Sequence, residues 1–387
     1  MSLMPTYAPA DVVFAEGHGT VLYDTEGRSY LDFLSGIAVT SLGHSNPAVA
    51  AALSSQAARL WHVSNLFENE LAGRLASELD ELIGGGRPLG GGVFLANSGA
   101  EANECALKLA RKAGGRGRHH VLSAYGSFHG RTLATLHATG QPHKHEAFQP
   151  LPEGFAHVAF GDLEALAAAA DATKVAAVLL EPIQGEGGVI PAPPGYLEGV
   201  RALCDERGIL LIVDEIQTGL GRTGDWFAFQ AAGVLPDIVT VAKSLGNGMP
   251  IGACWARADV ASLFEPGDHG STFGGQPLAC SAALATLGEL RRLDAPSLAR
   301  KAGSVLSEGL AGIDAISEVR GRGLLLGAVL DSGRAGGRSA AEVATAALRA
   351  GLVLNAPSAD VLRLAPPLTV SVEEVDQAVS ILSEVLA

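Results

Sequence analysis

Cysteine is scarce. The chain has four, Cys105, Cys204, Cys254 and Cys280, and none stands in a C-x-x-C pair. That spacing argues against a zinc ribbon or a dithiol redox pair and fits a reducing compartment. Basic residues are outnumbered 27 to 41, giving a formal net charge of −14, which disfavours a nucleic-acid partner. No apolar run reaches the roughly 18 residues of a membrane span. The opening "MSLMPTYAPADVVF" has no basic start followed by an apolar core, so no secretory signal is expected and the cytoplasm is the expected location. Phosphate-loop motifs are missing too: "GGGRPLGGG" at 84–92 lacks a following Lys-Ser/Thr and reads as a flexible loop. No internal repeat is visible. His119–His120 and "HKH" at 143–145 have no acidic or thiol partner at ligand spacing, so no metal is expected.

What remains is a globular composition, 48% hydrophobic and 18% charged over 387 residues, long enough for two or three structural units. The middle of the chain alternates short apolar runs with helical patterns. "GGVFLANSG", "HVLSAY", "VAAVLLEP", "GILLIVDE" and "DIVTVA" read as buried strands, and "YLEGVRALCDERG" as a helix between two of them. The expected class is α/β with a mostly parallel sheet. Towards the end, "EVRGRGLLLGAVL" reads as a strand, "AAEVATAALRAG" as a helix ended by Gly351, and "VLRLAP" as a strand. A last helix opens at the capping box Ser371-x-x-Glu374 and places Val375, Ala378, Val379, Leu382 and Leu386 on one face. "GTVLYDTEGRSYLDFL" predicts a hairpin. The expected division is 1–54, an N-terminal part of a smaller α+β unit; 55–286, the large unit; and 287–387, the rest of the smaller unit.

Three stretches carry chemistry. "FLANSGAEANECALKLARKA" runs from an apolar strand into a helical pattern, so Ser98, Gly99 and Ala100 open a helix. Free N–H groups and the dipole make that a site for an anion, although a plain Ser-capped helix has the same pattern. "GILLIVDEIQTGLGRTG" sets Asp214 and Glu215 at a strand end, where open parallel sheets bind ligands; two solvated loop acids are the alternative. "DIVTVAKSLGNGMPIGA" sets Lys243 at the end of an apolar strand. A buried ammonium is costly unless paired or neutralised, and a neutral lysine amine is a good nucleophile toward aldehydes. A lysine for an aldehyde, an acid for a pyridinium nitrogen and an anion site for a phosphate are together what pyridoxal phosphate requires.

These residues extend into a resemblance. "NSGAEANE", "FHGRT", "EPIQGEGGV", "DEIQTGLGRTG", "AKSLGNGMPIGA", "HGSTFGGQPLAC", "GRGLLLG" and "VLRLAPPL" occur in the order found in class III, fold-type I, pyridoxal-phosphate aminotransferases, and the likeness runs over nearly the full length. "LDFLSGIAVTSLGH" and "NSGAEANE" are most similar to the acetylornithine branch. The resemblance implies a cofactor, pyridoxal 5′-phosphate, and a homodimer with shared sites. It implies N-acetylornithine and 2-oxoglutarate as substrates, in arginine biosynthesis. Ornithine, 4-aminobutyrate and succinyl-diaminopimelate transamination stay open, as does an aminomutase. A doubly wound nucleotide-binding module is disfavoured by the lack of G-x-G-x-x-G after a first strand.

Residue by residue, the resemblance implies that Lys243 holds the cofactor aldehyde and shuttles a proton. Asp214 pairs with the pyridine nitrogen, Gln217 sits near the phenolic oxygen and Phe128 stacks on the ring. Ser98, Gly99 and Ala100 hold the phosphate, and Thr272 reaches the phosphate of a neighbouring subunit. Arg131, Arg363, Glu186 and Ser271 face the substrate. Arg363 stands in the apolar run "VLRLAP" and takes Glu186 as its partner, which is expected to cover it for one substrate and swing aside for the other. Glycines on both sides of Glu186 are read as permitting that movement. No role is assigned to His129, and Cys105 is read as core packing.

Overall fold

The computed structural model describes residues 3–387. Its centre is a seven-stranded sheet in the order Gly92–Ala96, Gly252–Ala256, Ile238–Val241, Leu210–Asp214, Val175–Leu180, His120–Ala124, Phe155–Val158. Strands Ile238–Val241 through Phe155–Val158 pair in parallel, whereas Gly252–Ala256 is antiparallel to both of its neighbours. The α/β fold with a mostly parallel sheet is therefore as expected. Val175–Leu180 and Leu210–Asp214 are buried along their whole length, because helices cover both faces of the sheet. The reversed strand is "GACWA", too short and too rich in small residues to announce itself in the sequence.

Local signals place the elements around the sheet. Ser98 caps the helix Gly99–Gly114 by accepting from the Glu101 N–H at 3.2 Å, with Glu101 in its first turn and Arg111 and Lys112 in its last. The terminal helix Val372–Leu386 starts at the Ser371/Glu374 capping box and buries Val375, Ala378, Leu382 and Leu386.

Two differences from the sequence reading stand out. "EVRGRGLLLGAVL" is a hairpin, Ile316–Arg322 paired with Leu325–Leu330, because Gly323 takes a positive φ of 57° and reverses the chain. The loop "GGGRPLGGG" is not free. The Asp80 carboxylate accepts from the Leu89, Gly90 and Gly91 N–H groups at 2.8, 2.9 and 2.9 Å and from Trp255 Nε1 at 2.8 Å.

The chain ends meet in smaller sheets. Leu352–Val353 joins Phe14–His18, Val21–Asp24 and Ser29–Asp32 in one four-stranded sheet, pairing in parallel with Ser29–Asp32. Val361–Leu364 pairs with Leu325–Leu330 in a three-stranded sheet, and this strand carries Arg363 toward the large sheet. Among the described residues, no helix is long and apolar enough to cross a membrane.

Candidate active site

The carboxyl ends of the parallel strands open onto one cavity of about 390 Å³, within the size range of ligand pockets. Lys243, Asp214, Ser98, Gly99, Ala100 and Phe128 line it, together with Gln217, Glu186 and Arg131. The side chains come from five different strand ends, which is how an open parallel sheet gathers a site.

Asp214 is the last residue of its strand and is 4% exposed. Its Oδ2 accepts from Asn103 Nδ2 and from His129 Nδ1, both at 2.8 Å, and its Oδ1 accepts from the Ile216 N–H at 3.0 Å. Asn103 is held in turn by Thr240 Oγ1, which donates to its Oδ1 at 2.8 Å. The neighbouring acid Glu215 turns away from the cavity. It accepts from Thr218 Oγ1 and the Phe229 N–H, and burial pushes its carboxyl up to about 7.

Lys243 follows the strand Ile238–Val241 after one residue, with φ at 42°, in the left-handed region that a lysine rarely adopts. Such strain persists where surrounding structure enforces it, and it turns the side chain into the cavity instead of along the sheet. Among the described residues no hydrogen-bond partner holds the ammonium. Burial, with the positive charge of Arg363 adding to it, pushes the amine down to about 8 against the pull of Glu186, Asp214 and Glu181. The lysine at the end of an apolar strand is thus a readily neutralised amine facing a carboxylate-lined cavity.

Arg363 is fully buried. Its Nη1 donates to Glu186 Oε1 at 2.5 Å and to Gln217 Oε1 at 3.3 Å, its Nε donates to Asn355 Oδ1 at 3.1 Å, and its Nη2 has no partner. Burial pushes the Glu186 carboxyl up, but the charge and hydrogen bond of Arg363 reverse this and hold it below the ordinary value. The Glu186 loop is glycine-rich for close packing: a Cβ at Gly185 would lie 2.0 Å from Gln217 Oε1. Arg131 is exposed at the rim, its guanidinium 5.5 Å from the centre of the Phe128 ring. Thr272 and Ser271 do not reach this cavity. They border a separate surface hollow, and Ser271 Oγ is used locally, accepting from Asn97 Nδ2 and the Gly274 N–H at 3.0 Å.

The sequence reading passed over Asn103, His129, Glu181 and Asn355. Asn103 carried one signal: it is polar on a helix face otherwise made of Ala102, Cys105, Ala106 and Leu109, all buried. His129 and Glu181 carry none, since Asp214 and Phe128 lie 85 and 53 residues away in the chain, and Asn355, eight residues from Arg363, stands in a loop with no pattern that marks it.

The residues present suit pyridoxal phosphate. A helix start faces the cavity, and its first-turn N–H groups lack intrahelical partners. Gly99 leaves room there, since a Cβ would lie 2.7 Å from Ile216 Cδ1 and the Ile216 side chain would have to shift. A depressed lysine amine and a carboxylate fixed by three hydrogen bonds line the same space. The chain matches the family described as aminotransferase class-III over residues 4–386. It is 48% identical to the acetylornithine aminotransferase of Corynebacterium efficiens, covering 100% of this chain and 95% of the relative. The acetylornithine aminotransferase of Methanothermobacter thermautotrophicus is also 48% identical, over 100% and 96%. Among solved structures, the N-acetylornithine aminotransferase of Stenotrophomonas maltophilia is 40% identical with a TM-score of 0.84, over 97% of this chain and 96% of that one. The ornithine aminotransferase of Toxoplasma gondii is 36% identical with a TM-score of 0.93, over 100% and 92%. The whole length of the sequence and the arrangement of the cavity lead to the same conclusion: this chain belongs to the class-III aminotransferases.

Proposed function

We propose that this enzyme uses pyridoxal phosphate to move the side-chain amine of N2-acetylornithine to 2-oxoglutarate, giving N-acetylglutamate 5-semialdehyde and glutamate, a step of arginine biosynthesis. The cofactor, bound in the cavity, supplies an aldehyde that takes the amine and a ring that receives the electron pair when a substrate carbon–hydrogen bond breaks. The chain's own residues do the rest. Ser98, Gly99 and Ala100 bind the phosphate at the helix start. Asp214, fixed by Asn103 and His129, keeps the ring nitrogen protonated. Phe128 would cover a ring face and Gln217 would lie by the ring oxygen. Lys243 would hold the aldehyde before substrate arrives, and its freed amine would then carry a proton from the substrate carbon that bears the amine to the cofactor's aldehyde carbon, on the far side of the shared nitrogen.

The observation that carries the reading is the buried Arg363, paired with Glu186 yet keeping one unpartnered nitrogen. N-acetylornithine brings only methylenes to that point, where a bare guanidinium is unfavourable. 2-Oxoglutarate brings a carboxylate, which suits a bidentate fork. Glu186 covers Arg363 for the first substrate and leaves it for the second, while Arg131 holds the far carboxylate of both. An aminomutase does not exchange its amine with 2-oxoglutarate and has no use for such a pair.

We further infer a cytoplasmic homodimer, with units at 1–54, 55–286 and 287–387. Thr272 is exposed beside Leu66, Phe67 and Phe273, which are 87%, 67% and 64% exposed. An apolar surface of that kind fits burial against a second copy, which would bring Thr272 to the phosphate and Ser271 near the substrate. Solution scattering checks this: a fully active monomer at working concentration is incompatible with it.

The deciding experiment is a panel of amino donors assayed against 2-oxoglutarate: N-acetylornithine, ornithine, 4-aminobutyrate and succinyl-diaminopimelate. N-acetylornithine is expected to have the highest kcat/KM. Ornithine is the second reading, favoured by the higher TM-score against the ornithine enzyme, 0.93 versus 0.84. A higher kcat/KM with ornithine would replace the first reading with the second.

A further inference from the structure

We propose that Glu181 is a positioning residue whose single carboxyl pins together the turn carrying Phe128 and the loop carrying Glu186. Glu181 directly follows the buried strand Val175–Leu180 and is 7% exposed. Its two oxygens serve two different segments. Oε2 accepts from the Phe128 N–H at 3.0 Å, and Oε1 accepts from the Gly185 N–H at 3.4 Å. The two segments also touch each other. Gln184 Nε2 donates to the Tyr125 carbonyl at 3.0 Å, and a Cβ on Gly187 would lie 2.9 Å from the Gly126 carbonyl.

This arrangement has a mechanical consequence. Glu186 leaves Arg363 by pivoting beyond Gly185, because the Gly185 N–H is tied to Glu181 and a Cβ at Gly185 would lie 2.0 Å from Gln217 Oε1. Glu181 therefore fixes the near end of the swing. It fixes it relative to Phe128, so the residue facing the ring and the residue guarding Arg363 keep a set spacing. A carboxyl suits the task because each oxygen accepts a bond, whereas an amide has one acceptor and an NH2 group that would face an N–H.

The inference rests on the two-substrate role proposed for Glu186, and its test separates the two. In Glu181→Gln the shorter bond, to Phe128, is retained and the Gly185 bond is lost. Hydrogen exchange of the holoenzyme, read by mass spectrometry on peptides, should then quicken at 183–188 by roughly 3–10-fold, the worth of one hydrogen bond, and stay unchanged at 126–130. The ratio of kcat/KM for N-acetylornithine to that for glutamate should fall by a similar factor, while cofactor absorbance and affinity hold. Glu181→Leu loses both bonds, so both peptides should exchange faster and cofactor affinity should drop. Unchanged exchange at 183–188 in Glu181→Gln, with an unchanged donor ratio, overturns the role of Glu181. Glu186→Ala is the control: an unmoved donor ratio there overturns the two-substrate reading itself, whatever Glu181→Gln does.

Discussion

Asp214 and Arg363 are both buried and both on strands, Asp214 lining the cavity and Arg363 standing behind Glu186 and Gln217, which line it, yet they are held in opposite ways. Asp214 ends a central strand of the large sheet and accepts three hydrogen bonds, from Asn103, His129 and the Ile216 backbone. Three of its roughly four acceptor sites are filled, which fixes it in place and leaves one for a ring N–H. Arg363 sits in a three-stranded sheet. Its Nη1 is on Glu186, a residue of a loop, and its Nη2 is on nothing. A carboxylate clamped by three donors, with one acceptor site left, suits a partner that stays through every turnover. An incompletely satisfied guanidinium suits an exchange of partners, because each arrangement leaves a buried donor that another acceptor can satisfy.

The comparison breaks hardest at Lys243, which both anchors face. Lys243→Ala should lose multiple turnover, by roughly 10²–10⁴-fold or more, the usual worth of a positioned acid–base group. Cofactor should still bind through its phosphate, seen by equilibrium dialysis. Turnover near the wild-type rate would remove Lys243 from its assigned role. Borohydride reduction of the wild type should fix the cofactor to the peptide that contains this lysine.

Next comes the exchangeable side. Arg363→Lys keeps the charge but loses the planar fork and the Nε bond to Asn355. The KM for 2-oxoglutarate should rise roughly 10–100-fold, as for one or two charge-assisted hydrogen bonds. The half-reaction with N-acetylornithine, followed by single-turnover absorbance, should change much less. Equal losses in both halves would mean that Arg363 supports the fold and does not discriminate. Glu186→Ala should weaken N-acetylornithine by about 1–3 kcal/mol relative to glutamate, the penalty of exposing a buried unpaired group. The measurement is kcat/KM for each donor.

The fixed side should respond less. Asn103→Ala removes one of the three donors on Asp214 and should lower cofactor affinity by roughly 2–10-fold with donor preference unchanged. A shift in donor preference would show that the two sides are not separable. The smallest effect is on pH. The Lys243 amine sits at about 8 in the fold against 10.5 ordinarily, so capture of cofactor by the apoenzyme should quicken as pH rises through about 8 and then level off. Between those two values the unfolded chain binds the proton more readily, so this group's contribution to stability falls as pH drops through the window. A capture rate independent of pH from 7 to 9 would contradict the depressed amine.

Much of the fixed side was legible in the chain. Strands such as "GILLIVDE" and "DIVTVA" are continuous apolar runs, and a charged residue at the end of such a run marks a strand end facing a site. Ser98 before Gly99 is a cap signal followed by helical spacing. These are local patterns, and local patterns survive in a sequence. The hairpin at 316–330 is not legible as two strands, because its first arm, Ser317 to Arg322, is mostly polar and only the arm after Gly323 is an apolar run. The glycines around Glu186 were read as freedom to move, whereas Gly185 is required by the close approach of Gln217.

By itself, the sequence determined the α/β class, the helix start at Ser98, and the strand-end placement of Asp214 and Lys243. Each of these follows from periodicity and capping within about ten residues. Only the tertiary structure decided what those residues touch. Asn103 and His129 meet Asp214 across 111 and 85 residues of chain, and Arg363 meets Glu186 across 177. A hydrogen bond has no period, and its partners are chosen by how sheets and helices pack. The strained φ of Lys243, the depressed amine and the spare nitrogen of Arg363 exist only once burial has removed water from all of them together.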